Sequence, residues 1–167
     1  MKEFYDFGQW KKEDHIASIG CGYGWWEVSL CLHYPAQHIA LLDPLVEQED
    51  IQESIDYFTE KTKLPWNTEF ELNPENLQNK DQIWVFNAWH EFEDRPFMLS
   101  KIKSALNENG IIIIEEEISK TERLQHEGCE KDLFFEQEII DEFEQAGFQY
   151  VETKTKDEVA IYLKFRK

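Results

Sequence analysis

Glycine is scarce in this chain. There are seven in 167 residues, and three of them, Gly20, Gly22 and Gly24, alternate within the stretch SIGCGYGWW. Cysteine is scarcer still: Cys21, Cys31 and Cys129 make an odd count of three with no paired spacing. That excludes a disulfide framework or a zinc ribbon and points to buried free thiols in a reducing compartment. Basic residues are few, 17 Lys+Arg against 35 Asp+Glu, for a net charge of −18. Such a surface repels phosphate backbones and anionic lipid, so nucleic acid and membrane surfaces are disfavoured as partners. Most of the acids fall on apparent helix faces such as VEQEDIQESIDYFTEK, where a solvated face is the plain reading. There is no apolar run of membrane-spanning length, and the opening MKEFYDFGQWKKED has no signal-peptide core. A cytoplasmic protein is expected.

What is present is core-forming. Hydrophobic residues are 41% and aromatics 14%, which excludes a disordered chain. Short β-like runs alternate with helical stretches. The strands expected are 15–19, 38–43, 68–72, 81–88 and 111–118. The helices are 25–34, 46–63, 95–106 and 135–146. NENG at 107–110 reads as a stop signal, with Gly110 in the cap. Segments 148–154 and 158–165, joined by a short TKD turn, read as a closing antiparallel hairpin. Strands separated by helices need crossover connections, hence a mainly parallel sheet covered on both faces. Ligands of such sheets bind outside the carboxyl ends of the strands.

The first strand-to-helix turn is GCGYG. Alternating glycines there make a tight turn that a ligand can approach closely, next to the free N–H groups of a helix start. Asp43 ends the second strand, 19 positions after Gly24. An acid at that place can accept both hydroxyls of a ribose. Together the two features point to a nucleoside-containing cofactor. A dinucleotide fingerprint would place its third glycine at position 25, where this chain has Trp25. A P-loop is excluded because no GK[ST] follows.

With IGCGYG, LLDP, NAWHEFED, LNENGIIIIEE and FEQAGF in that order, residues 14 to 165 resemble the Rossmann-like (class I) S-adenosylmethionine-dependent methyltransferases. The resemblance implies an α/β three-layer sandwich, with a mostly parallel seven-stranded sheet and an antiparallel last strand. It implies one methyltransferase-like domain over 1–167, with 1–13 a short leading segment. The cofactor would be S-adenosylmethionine, and S-adenosylhomocysteine the product. Gly20, Cys21, Gly22 and Gly24 would cradle its methionine part. Asp43 would hold the ribose, Pro44 would lie beside the adenine, Asn73 would meet the adenine amino group, and Leu77 would pack on the ring. Asn87 and Ala88 would line the methionine end.

Two departures stand out. Ser18 occupies the place of the family's acid two residues before the first glycine, and it carries no charge. Only a short segment precedes the first strand, where the family often has roofing helices. Phe4, Tyr5, Phe7 and Trp10 could roof the site or pack on the sheet edge. Trp25 and Trp26 point about 100° apart on a helix, so one is expected to pack inward and the other near the pocket mouth or the surface.

Methyl transfer needs alignment and exclusion of water more than a fixed catalytic residue. A base is needed only for a protonated acceptor. His90 and Glu91, after the fourth strand, are the candidates for a base or an acceptor contact. His126 and Cys129 lack further partners for a metal, so no metal is expected; they could line the pocket instead. The expected function is methyl transfer to a small-molecule acceptor by a monomer or homodimer. A non-catalytic relative serving as a binding or partner subunit is the alternative, and a nicotinamide-dependent oxidoreductase a second.

Overall fold

A computed structural model describes residues 1–167. The chain forms a seven-stranded sheet in the order β3-β2-β1-β4-β5-β7-β6. The strands are β1 (His15–Ile19), β2 (His38–Leu42), β3 (Glu69–Leu72), β4 (Lys80–Phe86), β5 (Leu106–Glu117), β6 (Gln149–Thr155) and β7 (Ala160–Arg166). The pairs β1–β2, β1–β4, β2–β3 and β4–β5 are parallel. Only β7 runs the other way, antiparallel to both β5 and β6. Strand order reverses at β1, between β2 and β4, so the turn after β1 lies at the switch point where ligands of such sheets bind.

Alternation along the strands explains why both faces are covered. In β4, Ile83 and Val85 join one core while Trp84 joins the other; in β5, Ile112 and Ile114 join the first and Ile113 the second. Side chains of successive strand residues point to opposite faces, so near-continuous apolar runs must be buried twice. Helices α4 (Arg95–Ala105) and α5 (Glu136–Gln145) cover the first face; α1 (Lys2–Gly8), α2 (Trp25–His33) and α3 (Gln48–Thr62) cover the second.

The expected elements are present, with three corrections. The NENG stretch is no clean stop. Helix α4 ends at Ala105 and β5 begins at Leu106. The register then jumps from Lys80↔Leu106 to Gln82↔Ile111, so residues 107–110 bulge from the strand. The left-handed residue there is Asn109, φ 66°, and not Gly110. Second, the N-terminal aromatics form neither a roof nor an edge cover. They belong to α1 and the segment after it, on the face of the central strands. Phe4 packs edge-on against Trp84 and Phe86 of β4, at 5.3 and 4.8 Å between ring centroids, and lies 5.6 Å from Tyr162 of β7. Phe4, Phe7 and Trp10 are buried. Third, of the three free cysteines only Cys31 is buried; Cys21 and Cys129 are half-exposed. No helix is long and apolar enough to cross a membrane.

Phe4 is completely enclosed by other aromatic rings, so the first helix is part of the core. Truncation to Phe4→Ala should cost about 3–5 kcal/mol of unfolding free energy in urea denaturation. A loss below about 1 kcal/mol would show that α1 is a detachable appendage.

Candidate functional site

The turn after β1 is built from the glycines outward. Gly20, Gly22 and Gly24 all have left-handed φ, at 73°, 53° and 71°. Each is glycine for its own reason. A Cβ on Gly20 would lie 2.6 Å from Ala88 Cβ, so this position presses β1's turn against the turn after β4. A Cβ on Gly24 would crowd Leu41 and Ile51 at 3.2 and 3.3 Å. Around Gly22 nothing lies within 4 Å of the added atom. Gly22 is therefore the glycine that faces open space, at the head of α2.

The turn is already tied down. The Gly20 and Cys21 N–H groups both donate to Leu42 O, at 2.8 and 3.1 Å. Gly22 N–H donates to Asp43 Oδ2 at 2.9 Å, and Leu45 N–H to Asp43 Oδ1 at 2.9 Å. Asn73, left-handed at φ 42°, accepts Asp43 N–H on Oδ1 at 2.8 Å and donates from Nδ2 to Val46 O at 2.9 Å. Ser54 of α3 donates to Tyr23 O at 2.6 Å. The candidate residues of the three strand ends thus form one hydrogen-bonded hub.

Beside this hub lies a cavity of about 570 Å³, a size that suits a small organic ligand. Asp43, Pro44, Asn73 and Leu77 line it, and Met98 and Ile102 of α4 form its opposite wall. Gly20, Cys21, Gly22, Gly24, Asn87 and Ala88 are outside that lining and follow the turns of β1 and β4 instead.

Ser18 has a partner that the sequence did not reveal. It is fully buried, and its hydroxyl donates to Glu27 Oε1 at 2.6 Å. Glu27 is on the core face of α2 and almost fully buried. A carboxyl from the next helix therefore stands beside Ser18. Burial pushes the Glu27 carboxyl up to about 7, opposed by the Ser18 hydrogen bond, with the negative charges of Glu115 and Asp43 adding to the rise. The sequence held a signal for it: Glu27 shares a helical face with Val28, Leu30 and Cys31, all buried. Burial also raises the Cys21 thiol, with Glu27 and Asp43 adding to the rise, so Cys21 stays protonated. Trp25 lies outward against Tyr57 and Phe58 of α3, and Trp26 turns inward toward Phe86.

After β4 the chain makes a left-handed step at Asn87, φ 47°, and a short 3-10 turn, Trp89–Glu91. His90 is buried there and Glu91 is exposed. The organiser of this turn is Glu116 of β5, which sequence reasoning missed. One of its oxygens accepts the Trp89 N–H at 2.8 Å and the His90 N–H at 3.4 Å; the other lies 2.6 Å from His90 Nδ1. Three consecutive acids at the end of the most apolar strand were the available signal. Burial holds the Glu116 carboxyl above its usual range, against the pull of His90. For His90 burial works the other way, yet the bond to Glu116 wins and its pKa is raised. The turn after β5 brings in His126, whose Nε2 lies 3.2 Å from Asn87 Nδ2, and Cys129, whose Sγ lies 3.4 Å from His126 Nδ1.

No protein-family model matches the chain, and no curated protein matches it in sequence. Solved structures match it throughout. A SAM-dependent methyltransferase from Aquifex aeolicus superposes with TM-score 0.74 at 18% identity, over 99% of this chain and 87% of its own. A Bacillus halodurans C-125 protein classed as a methyltransferase superposes with TM-score 0.76 at 12% identity, over 99% and 97%. The [4+2]-cyclase SpnF superposes with TM-score 0.72 at 14% identity over 92% of this chain, which spans 58% of the cyclase. The chain has the class I methyltransferase fold, and at these identities the likeness speaks to fold alone.

Glu27 gives a pH signature. Its carboxyl titrates near 7 when folded and near 4.5 in an unfolded chain, so the unfolded state releases the proton first as pH rises. Stability from this group is complete below pH 4.5 and is lost as pH climbs toward 7. Glu27→Gln should match the parent near pH 4.5 and exceed it above pH 7 by roughly 3 kcal/mol, since each unit is worth about 1.4 kcal/mol. Urea titrations at the two pH values check this; an equal difference at both would place the Glu27 pKa elsewhere.

Proposed function

We propose that this chain is an S-adenosylmethionine-dependent methyltransferase acting on a small-molecule acceptor. The observation that carries the reading is Gly22: a left-handed glycine whose Cβ direction is open, at the head of α2, beside a cavity of about 570 Å³. A backbone left bare toward solvent at that place fits a ligand that must touch it.

The residues fit the cofactor along its length. Asp43 keeps lone pairs beyond those taken by Gly22 and Leu45, because a carboxylate has about four acceptor sites. Those would receive the ribose hydroxyls. Pro44 and Leu77 would flank the adenine, with Asn73 offering the remaining lone pair of an amide oxygen that already holds Asp43 in place. Gly20, Cys21, Gly22 and Gly24 would shape the cradle of the methionine end, with Asn87 and Ala88 closing it from β4. Glu27, ionised on binding, would answer the positive charge of the methionine end through the position Ser18 holds. When bound, S-adenosylmethionine supplies a methyl group on a sulfonium whose departure leaves S-adenosylhomocysteine. The protein's part is to align the acceptor and exclude water. His90 and Glu91 sit on the acceptor side, next to Asn87. The strongly acidic surface and the size of the cavity favour a small acceptor over a nucleic acid.

Calorimetric titration of the chain with S-adenosylmethionine and S-adenosylhomocysteine, with NAD as control, tests this. Saturable binding of the first two and none of NAD is expected. Gly22→Ala should remain folded, at a cost of about 1–2 kcal/mol for its left-handed φ. It should lose at least about tenfold in affinity. Absence of binding by the parent chain would favour the non-catalytic alternative.

A further inference from the structure

The turn between β5 and α5 folds back on itself. His126 N–H donates to Lys131 O at 2.8 Å, and Glu130 N–H donates to His126 O at 2.9 Å, with Glu130 left-handed at φ 58°. Gly128 makes room for this: a Cβ there would lie 3.0 Å from His126 Cε1. The turn returns Cys129 Sγ to 3.4 Å from His126 Nδ1. Lys131 fastens it to the turn after β4 by donating to Glu91 O at 2.7 Å. His90 thereby faces it, with the rings of His90 and His126 4.6 Å apart. One donor atom each from His90, His126 and Cys129 lie within 4.8 Å of one another. The sequence offered two of these residues, and the fold adds the third.

His90 Nε2 is the informative atom. The side chain is fully buried, and this nitrogen has no hydrogen-bond partner. The opposite nitrogen, Nδ1, is committed to Glu116 at 2.6 Å. In the neutral ring with its proton on Nδ1, Nε2 presents a bare lone pair; in the imidazolium that Glu116 favours, a metal would displace the Nε2 proton. An unpartnered buried acceptor costs about 1–3 kcal/mol. A carboxylate behind one nitrogen of a buried histidine, with the other left free, is the arrangement that orients histidines for metal ions.

We propose that His90 Nε2, His126 Nδ1 and Cys129 Sγ form a binding site for a divalent transition metal, zinc by its donor set. Imidazole and thiolate suit Zn²⁺, whereas Mg²⁺ and Ca²⁺ take oxygen donors. Zn–N of about 2.0–2.1 Å and Zn–S of about 2.3 Å in a tetrahedron put the two donors about 3.5 Å apart. The His126 Nδ1 to Cys129 Sγ distance is 3.4 Å. A small inward movement of the half-exposed turn brings His90 Nε2 into the same sphere. Three protein ligands leave a fourth position for water or for Glu91, whose Oε1 is 3.9 Å from His90 Nε2. With Nδ1 of His126 on the metal, its Nε2 carries the proton. The Asn87 amide then turns so that Oδ1 accepts a hydrogen bond from that N–H, and it releases its long 3.4 Å bond from Glu117 N–H. A metal on His90 Nε2 excludes a free imidazole base at that nitrogen.

The test uses the full chain, reduced and stripped with a chelator. Zn²⁺ is titrated in competition with a chromophoric chelator, and Co²⁺ is followed by absorption. One equivalent should bind, and the Co²⁺ form should show thiolate-to-metal charge transfer with tetrahedral visible bands. Cys129→Ser and His126→Gln, both half-exposed positions, should stay folded by circular dichroism and weaken binding at least about tenfold. Cys129→Ser should also abolish the charge-transfer band, while Cys31→Ala leaves it intact. Glu116→Gln should weaken binding about 10–100-fold. No binding, or binding indifferent to Cys129 and His126, overturns the site and would mark any cation as held by the acidic surface. No S-adenosylmethionine is present, so failure here is separate from failure of the methyl-transfer reading.

Discussion

The close approach of Gly20 to Ala88 is the contact on which the candidate site depends. A single Cβ on Gly20 would bring two side-chain carbons to 2.6 Å, well inside van der Waals contact. Only glycine facing a small residue lets the turn after β1 touch the turn after β4. The Leu42 carbonyl holds the first turn in that place through two N–H groups. The second is held by Glu116 through Trp89 and His90. The strand ends therefore converge on one surface: Asp43 and Asn73 to one side, Asn87, His90 and Glu91 to the other. Moving either turn outward would separate Asp43 and Asn73 from Asn87, His90 and Glu91.

Three carboxyls are buried around that surface, and each is accommodated differently. Glu27 has a serine hydroxyl and a raised pKa. Glu115 has the Lys156 ammonium on one oxygen, while its other oxygen is buried without a partner. Glu116 has an imidazole and two backbone N–H groups. Burying a carboxyl is unfavourable unless a charge or hydrogen bond offsets it. A protein under selection for stability alone has little use for three of them at one end of its sheet. Lys156 and His90 offset two of them, and burial raises the carboxyl pKa of the third.

What could be read from the sequence followed the range of the forces involved. Strand and helix periodicity is local, and the seven strands and the antiparallel closing hairpin were legible from it. The glycine turn and Asp43 were legible because backbone geometry restricts which residues can stand there. The functions of Ser18, Glu27 and Glu116 were not, because each depends on a partner 9 to 26 residues away. A serine in place of an acid looks like a loss until the fold sets a buried carboxyl of α2, Glu27, against its hydroxyl. The aromatic N-terminus misled for a related reason. A run such as FYDFGQW has the same composition whether it roofs a site or fills a core. The fold packs it inward, with Gly8 tight against Ile113 and Trp10. The bulge at 107–110 was misread because β4 and β5 must match in register, a demand that neither strand reveals alone.

The fold itself leaves the chemistry open, since methyltransferases and a cyclase share it at similar TM-scores. The distinction must come from the segments that the sheet does not dictate. In this chain those are the 3-10 turn at 89–91 and the turn at 126–131. Neither is held by the core alone: Lys131, Asn87 and Glu116 tie them to each other and to β5. Side-chain ties of this kind fix where His90, His126 and Cys129 stand while leaving two of the three partly open to solvent. A purely structural cluster would gain by burying the thiol, as Cys31 is buried, with its pKa pushed up to about 12 by that burial. Cys129 is instead kept at the rim beside two imidazoles, where a ligand arriving from solvent can reach it. Rim placement with interior anchoring is what a binding site requires and what core packing does not explain.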